Sequence, residues 1–213
     1  MLRNYLLAIL IASAVFFSLK TTAQQFNGGL MAGLAASQVA GDTYSGFNQP
    51  GIFFGGFVNL NVSPRSSFQM ELEFFQKGSK KNPEPEKNDY DDYHFRANYV
   101  ELPLLYQFIF LDWFKMEIGP SAGFLISANE DMNGEKISEN YDWNKPAAVT
   151  LQFNLGMHIH LFNNFSLNVR TNNSLFNIRS QKRSGDVRRF WGYGQYHDSL
   201  VLSIFYTFRK KGE

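Results

Sequence analysis

From Val149 to Leu161 the chain alternates without a break. Val149, Leu151, Phe153, Leu155, Met157, Ile159 and Leu161 are apolar, and Thr150, Gln152, Asn154, Gly156, His158 and His160 stand between them. A period of two is the signature of a β-strand with one apolar and one polar face. In a small water-soluble barrel the apolar face turns inward and charges decorate the outside, as in a lipocalin-like fold. In this chain charged residues share a face with small and amide residues, while the apolar face is long in nearly every such segment. That polarity suits a polar bore and a lipid-facing exterior. Strands cross a bilayer only as a closed barrel, because an open edge leaves backbone groups unsatisfied in hydrocarbon.

The same period picks out eight segments in all: Asn27–Gln38, Gly51–Val62, Ser67–Lys77, Phe95–Phe110, Trp113–Ser127, Val149–Leu161, Phe165–Phe176 and Asp198–Phe208. The first is rich in Gly and Ala and is the least distinct. The third shows the pattern well, with Phe68, Met70, Leu72 and Phe74 set against Gln69, Glu71 and Glu73. Each has about the length of a tilted membrane strand, roughly 9–11 residues with a few more outside the bilayer. The expected fold is all-β, an eight-stranded antiparallel up-and-down transmembrane barrel.

The connections alternate in length. Ser63–Ser66, Leu111-Asp112 and Asn163-Asn164 read as tight turns. Val39–Pro50, Gly78–His94, Ala128–Pro146 and Asn177–His197 read as long polar loops. Outer-membrane barrels have short periplasmic turns and long external loops, which puts both termini in the periplasm. Aromatic residues gather near the strand ends as interfacial girdles would. Phe110, Trp113, Phe114, Phe162, Phe165 and Phe208 fall near the turns, and Tyr93, Phe95, Phe124, Trp143, Phe176, Trp191 and Tyr193 near or within the loops. Within the acidic second loop, Asn82-Pro83-Glu84-Pro85-Glu86 is expected to be extended or unordered.

Residues 1–23 read as a secretory signal, leaving 24–213 as the barrel domain. Arg3 supplies the positive start, Leu6–Phe17 the apolar run, and Thr21-Thr22-Ala23 the small residues before a cut. The run is shorter than the ~20 apolar residues that a membrane helix needs. There is no cysteine, which excludes a disulfide framework and a thiol-linked lipid anchor. The formal net charge is +1, so nothing draws the chain as a whole to nucleic acid.

The chain also resembles the PorT-like outer-membrane β-barrel family of Bacteroidetes. The likeness is carried by Phe68-Gln69-Met70-Glu71-Leu72-Glu73-Phe74-Phe75-Gln76-Lys77-Gly78, by Tyr99-Val100-Glu101-Leu102-Pro103-Leu104-Leu105, and by Glu117-Ile118-Gly119-Pro120-Ser121-Ala122-Gly123-Phe124-Leu125, together with the Gly-rich first strand and the last strand. It extends over nearly all of the chain after residue 23. The resemblance implies an eight-stranded barrel in an outer membrane. Through the family's founding member it also implies an accessory role in a type IX secretion system or another envelope machine.

An eight-stranded bore is just wide enough to be filled by side chains. The inward set expected from the alternation is Glu71, Glu73, Glu101, Lys115, Glu117, His158, His160, Asn168 and Arg170. A lone charge in such a tube is costly, so these groups are expected to pair and to close the lumen as a polar plug. Arg170 is expected to pair with one or more of Glu71, Glu73 and Glu101. Two histidines and a carboxylate could ligate a metal. His158 and His160 have no further ligand cluster beside them, so no metal and no other cofactor is expected. His94, His197, Asp198 and Ser199 lie near the loop end but form no marked nucleophile–base set, and no enzymatic activity is expected.

The second loop is acidic, with Glu84, Glu86, Asp89, Asp91 and Asp92. The fourth is basic, with Arg179, Lys182, Arg183, Arg188 and Arg189. Arg188 and Arg189 are candidate contacts for lipopolysaccharide phosphates, which guanidinium groups bind well. The expected role is structural or adhesive, or that of a subunit of an envelope complex. The expected partners are outer-membrane lipid, lipopolysaccharide and an envelope protein, with the barrel itself monomeric. A lipid-acting surface enzyme or a narrow pore are the alternative classes.

Overall fold

The computed structural model describes residues 26–44, 46–137, 145–179, 185–190 and 192–208. The expected signal segment, Trp143, Lys182, Arg183, Trp191 and the tail after Phe208 lie outside the described residues. The strands are β1 (Phe26–Ala40), β2 (Gln49–Ser63), β3 (Ser66–Lys81), β4 (Tyr93–Leu111), β5 (Phe114–Met132), β6 (Glu135–Lys136), β7 (Val149–Phe162), β8 (Phe165–Ser174), β9 (Val187–Arg189), β10 (Gly192–Gly194) and β11 (Tyr196–Thr207). The long strands pair antiparallel around the ring β1-β2-β3-β4-β5-β7-β8-β11, and β11 pairs back onto β1. The result is a closed eight-stranded barrel without an open edge. β6 folds back on the end of β5, and β9 pairs with β10 as a separate short ribbon.

Alternation in sequence becomes alternation in burial. Glu101 is fully buried while its neighbour Leu102 is 44% exposed, and Leu34, Leu72, Leu104, Ile118, Leu155 and Leu202 all face outward. An apolar exterior of this extent would be a very large hydrophobic patch in water, whereas it matches the hydrocarbon band of a membrane barrel.

The bore is not polar throughout. Met31, Ala35, Phe53, Phe57, Phe75, Val201 and Phe205 form an apolar cluster inside it. Gly29 makes room for the Phe57 ring, since a Cβ there would sit 2.5 Å from Phe57 Cζ. The Gly and Ala content that blurs the first strand therefore reflects close packing inside the bore.

Most strands run longer than expected on the loop side, although β8 stops at Ser174, short of the expected Phe176. β4 begins at Tyr93 and β5 continues to Met132. Asn133 and Gly134, both with positive φ (54° and 80°), turn β5 into β6. The stretch expected to be unordered instead makes a short 3₁₀ turn at Pro85–Lys87. It is closed by a Glu84–Asp89 bridge and a 2.5 Å ion pair from Lys81 to Asp89. That hydrogen bond from Lys81 holds the Asp89 carboxyl below its ordinary range.

Tyr93 and Phe95 are not part of an outer girdle. They are 5% and 1% exposed and point into the mouth. There they pack with Val39, Ala97, Tyr99 and Ile178 as an apolar cap. At the other end the first residue of β5 is Phe114, so the tight turn is Asp112-Trp113.

Candidate functional site

The centre of the bore is Arg170 on β8. Its Nη1 and Nη2 donate to the two oxygens of Glu71 at 2.6 and 2.8 Å, and its Nε donates to Glu117 Oε1 at 2.7 Å. Nη1 also reaches Glu73 Oε2 at 3.4 Å. Strand β3, which carries Glu71 and Glu73, is four places from β8 around the eight-strand ring, so the guanidinium ties opposite walls together. The bidentate fork matches carboxylate geometry. Glu117 is engaged further: its Oε2 lies 2.6 Å from His158 Nε2, and its Oε1 accepts from Asn168 Nδ2 at 2.8 Å.

Glu101 does not reach Arg170. It pairs with Lys77 at 2.5 Å, and Asn172 Nδ2 donates to its other oxygen at 3.0 Å. Lys77 Nζ also donates to Asn172 Oδ1 at 2.6 Å and lies 4.2 Å from the Phe75 ring centroid. This second tie between β3 and β8 was missing from the expected inward set. Its signal was present, since Lys77 has the same parity as Glu71 and Glu73. Amides extend the network: Asn59 donates to Gln69 and Gln107, and Asn172 donates to Asn154.

Two expected members fall outside this network. His160 is exposed at the tight-turn mouth, and its side chain makes no hydrogen bond or ion pair among the described residues. Its parity is inward, but the bore ends at that height. Lys115 is half-buried and lines a cavity of about 200 Å³ at the same mouth, beside His158, Gln107 and Asn59. It too has no direct hydrogen-bond partner among the described residues.

The loop end departs more from expectation. Arg179, counted with the basic loop, is 4% exposed. It donates to Glu130 at 2.7 and 3.2 Å and stacks on the Phe95 ring. Tyr93 donates to Glu130 as well. Burial raises the Asp42 carboxyl in the β1–β2 connection above its ordinary range.

Arg189 is held by a bidentate pair with Asp198, at 2.6 and 2.8 Å. Arg188 is exposed and stands 5.7 Å from the Tyr193 ring centroid. His197 and Ser199 are buried on the inner face of β11, and Asp198 falls on the other face by the period of two. They do not converge on a surface triad.

Residues 20–180 match the family described as outer membrane protein beta-barrel domain. The chain belongs to that family. Among solved structures the barrel is similar to Ail, the attachment invasion locus protein of Yersinia pestis, at 14% identity and a TM-score of 0.50, with 86% of this chain and 99% of that one covered. It is also similar to Neisserial surface protein A, at 11% identity and a TM-score of 0.54, covering 85% and 97% of the two chains. At such identities the likeness is one of fold. No curated protein matches the outer-membrane barrel in sequence.

Proposed function

We propose that this outer-membrane barrel is a non-catalytic, non-conducting scaffold that presents its long connections to an envelope partner. The carrying observation is the pair of ties across the bore, Arg170 to Glu71 and Lys77 to Asn172. Side chains that join opposite walls occupy the axis along which ions would pass, and a barrel of this size has little room beside them. The apolar cap of Tyr93, Phe95, Tyr99 and Ile178 lies above them at the loop end. In this reading the tight turns and both termini face the periplasm and the long connections face outward. The barrel acts as a monomer, and residues 1–23 serve as the export signal. The resemblance to PorT-like proteins of Bacteroidetes favours a subunit role in a secretion or other envelope machine.

Of the two arginines expected to meet lipopolysaccharide, Arg188 suits the role because it is exposed, while the Arg189 guanidinium is already paired with Asp198. Planar-bilayer recording tests the central claim. The wild-type barrel should show no steady current, and Lys77→Ala/Arg170→Ala should conduct. A steady wild-type ion current would overturn the plugged-scaffold reading. Antibody access on intact cells to an epitope inserted beside Glu86 tests the orientation, and protection there would reverse it.

A further inference from the structure

We infer that the notch between β5 and β7 at the loop end is a binding site for a single-chain fatty acid, with its tail against the wall and its carboxylate toward Arg179. The β5–β7 ladder stops at Phe124–Val149, followed by one further bond from Leu125 N–H to Ala148 O. Beyond it the two segments part. β5 gains an extra residue at the irregularity between Asn98 and Tyr99 in its pairing with β4 and continues toward Met132. The segment leading into β7 turns away, with Ala147 N–H donating to Ile178 O. The wedge between them is a cavity of about 510 Å³, within the size range of small-molecule sites.

Its lining has a direction. Leu125, Ala128, Ile137, Pro146 and Ala148 make an apolar body. Arg179, Glu130 and Lys145 supply the charge. The buried Arg179 side chain already gives Nη1 and Nη2 to Glu130, and Nη1 to Gln195 as well, yet among the described residues its Nε has no hydrogen-bond partner. A buried guanidinium N–H without an acceptor is costly, and an anionic oxygen is the acceptor that suits it.

The height also fits an amphiphile. Ile126, 58% exposed, is followed on β5 by the exposed polar residues Ser127 and Asn129. The notch therefore lies where acyl chains give way to head groups. A free carboxylate is favoured over a phospholipid because the charged end offers one guanidinium, already shared with Glu130 and stacked on Phe95, rather than a cluster of cations.

Radiolabelled palmitate binding to the full barrel in phosphatidylcholine nanodiscs tests this. Wild type should show a saturable component that Ala148→Trp, which fills the notch, removes. Arg179→Gln should weaken binding by roughly tenfold or more, as loss of a charge-assisted contact does. Leu200→Trp, on the lipid face of β11, should leave it unchanged. Heat-modifiable gel migration reports whether each variant is folded, and the exposed Ala148 site keeps the test decisive if Arg179→Gln fails to fold. Cetyl alcohol and lysophosphatidylglycerol should compete poorly. Absence of saturable binding, or binding unaffected by Ala148→Trp, would overturn the site. Equal competition by lysophosphatidylglycerol would overturn the free-acid assignment. None of these outcomes depends on whether the bore conducts.

Discussion

Removing the Arg170 guanidinium while keeping its bulk, as Arg170→Met, isolates the electrostatic part of the bore. The substitution deletes four hydrogen bonds to Glu71, Glu73 and Glu117. Glu117 keeps His158 and Asn168. Among the described residues Glu71 keeps a 2.5 Å bond from Gln69, and Glu73 Oε1 already lacks a hydrogen-bond partner. Taking one partner out of a buried ion pair typically costs about 3–5 kcal/mol, mostly from the charge left behind. That is roughly two to three and a half powers of ten in the folding equilibrium.

The assay is urea unfolding of the barrel in lipid vesicles, followed by tryptophan fluorescence and heat-modifiable gel migration. The cause is separable by a cycle. Glu71→Gln added to Arg170→Met removes the stranded charge and should recover more than about 1 kcal/mol relative to additivity. A loss under about 1 kcal/mol for Arg170→Met, or strict additivity in the double variant, would refute the claim that paired charge holds the walls together.

Other consequences are simpler to check. Leu151→Arg places a charge on the lipid face and should lower barrel stability by about 2–4 kcal/mol in vesicle unfolding, if the residue sits near the bilayer midplane. Gly78→Ala should lower it by about 1–3 kcal/mol, because a Cβ there would lie 1.9 Å from the Phe95 carbonyl oxygen and the backbone must shift. The turn at Pro85–Lys87 should be pH-sensitive in one direction. Lys81 holds the Asp89 carboxyl below its ordinary value, so the pair's contribution is complete above the unfolded carboxyl's pKa of about 3.9 and is lost as pH falls through the lower folded value. Amide exchange at residues 84–89 should therefore accelerate only on strong acidification, and Lys81→Met should abolish the dependence.

Much of this architecture is legible residue by residue. Strict alternation assigns Glu101 and Leu102 to opposite faces before any coordinates are known, because successive side chains on a strand point in opposite directions. The short connections imply antiparallel neighbours, and the lipid-facing apolar side requires the sheet to close into a ring. Arg170 as an inward charge that needs carboxylates also follows from parity and the cost of burying an ion. Parity failed at the strand ends. His160 has inward parity but lies where the wall stops, and Tyr93 and Phe95 looked like girdle residues but roof the mouth.

The chain's own pattern determined that this protein is a barrel with an apolar outside and, away from the strand ends, which side chains enter its bore, because a period of two is a local property of the backbone. Only the closed structure decided which of them meet. Glu71 and Glu117 stand 99 and 53 residues from Arg170, and Glu101 found Lys77 instead. Those pairings depend on the ring of strands and their stagger, which set the height of each side chain on the axis and which wall it faces, and no short stretch of sequence carries that information.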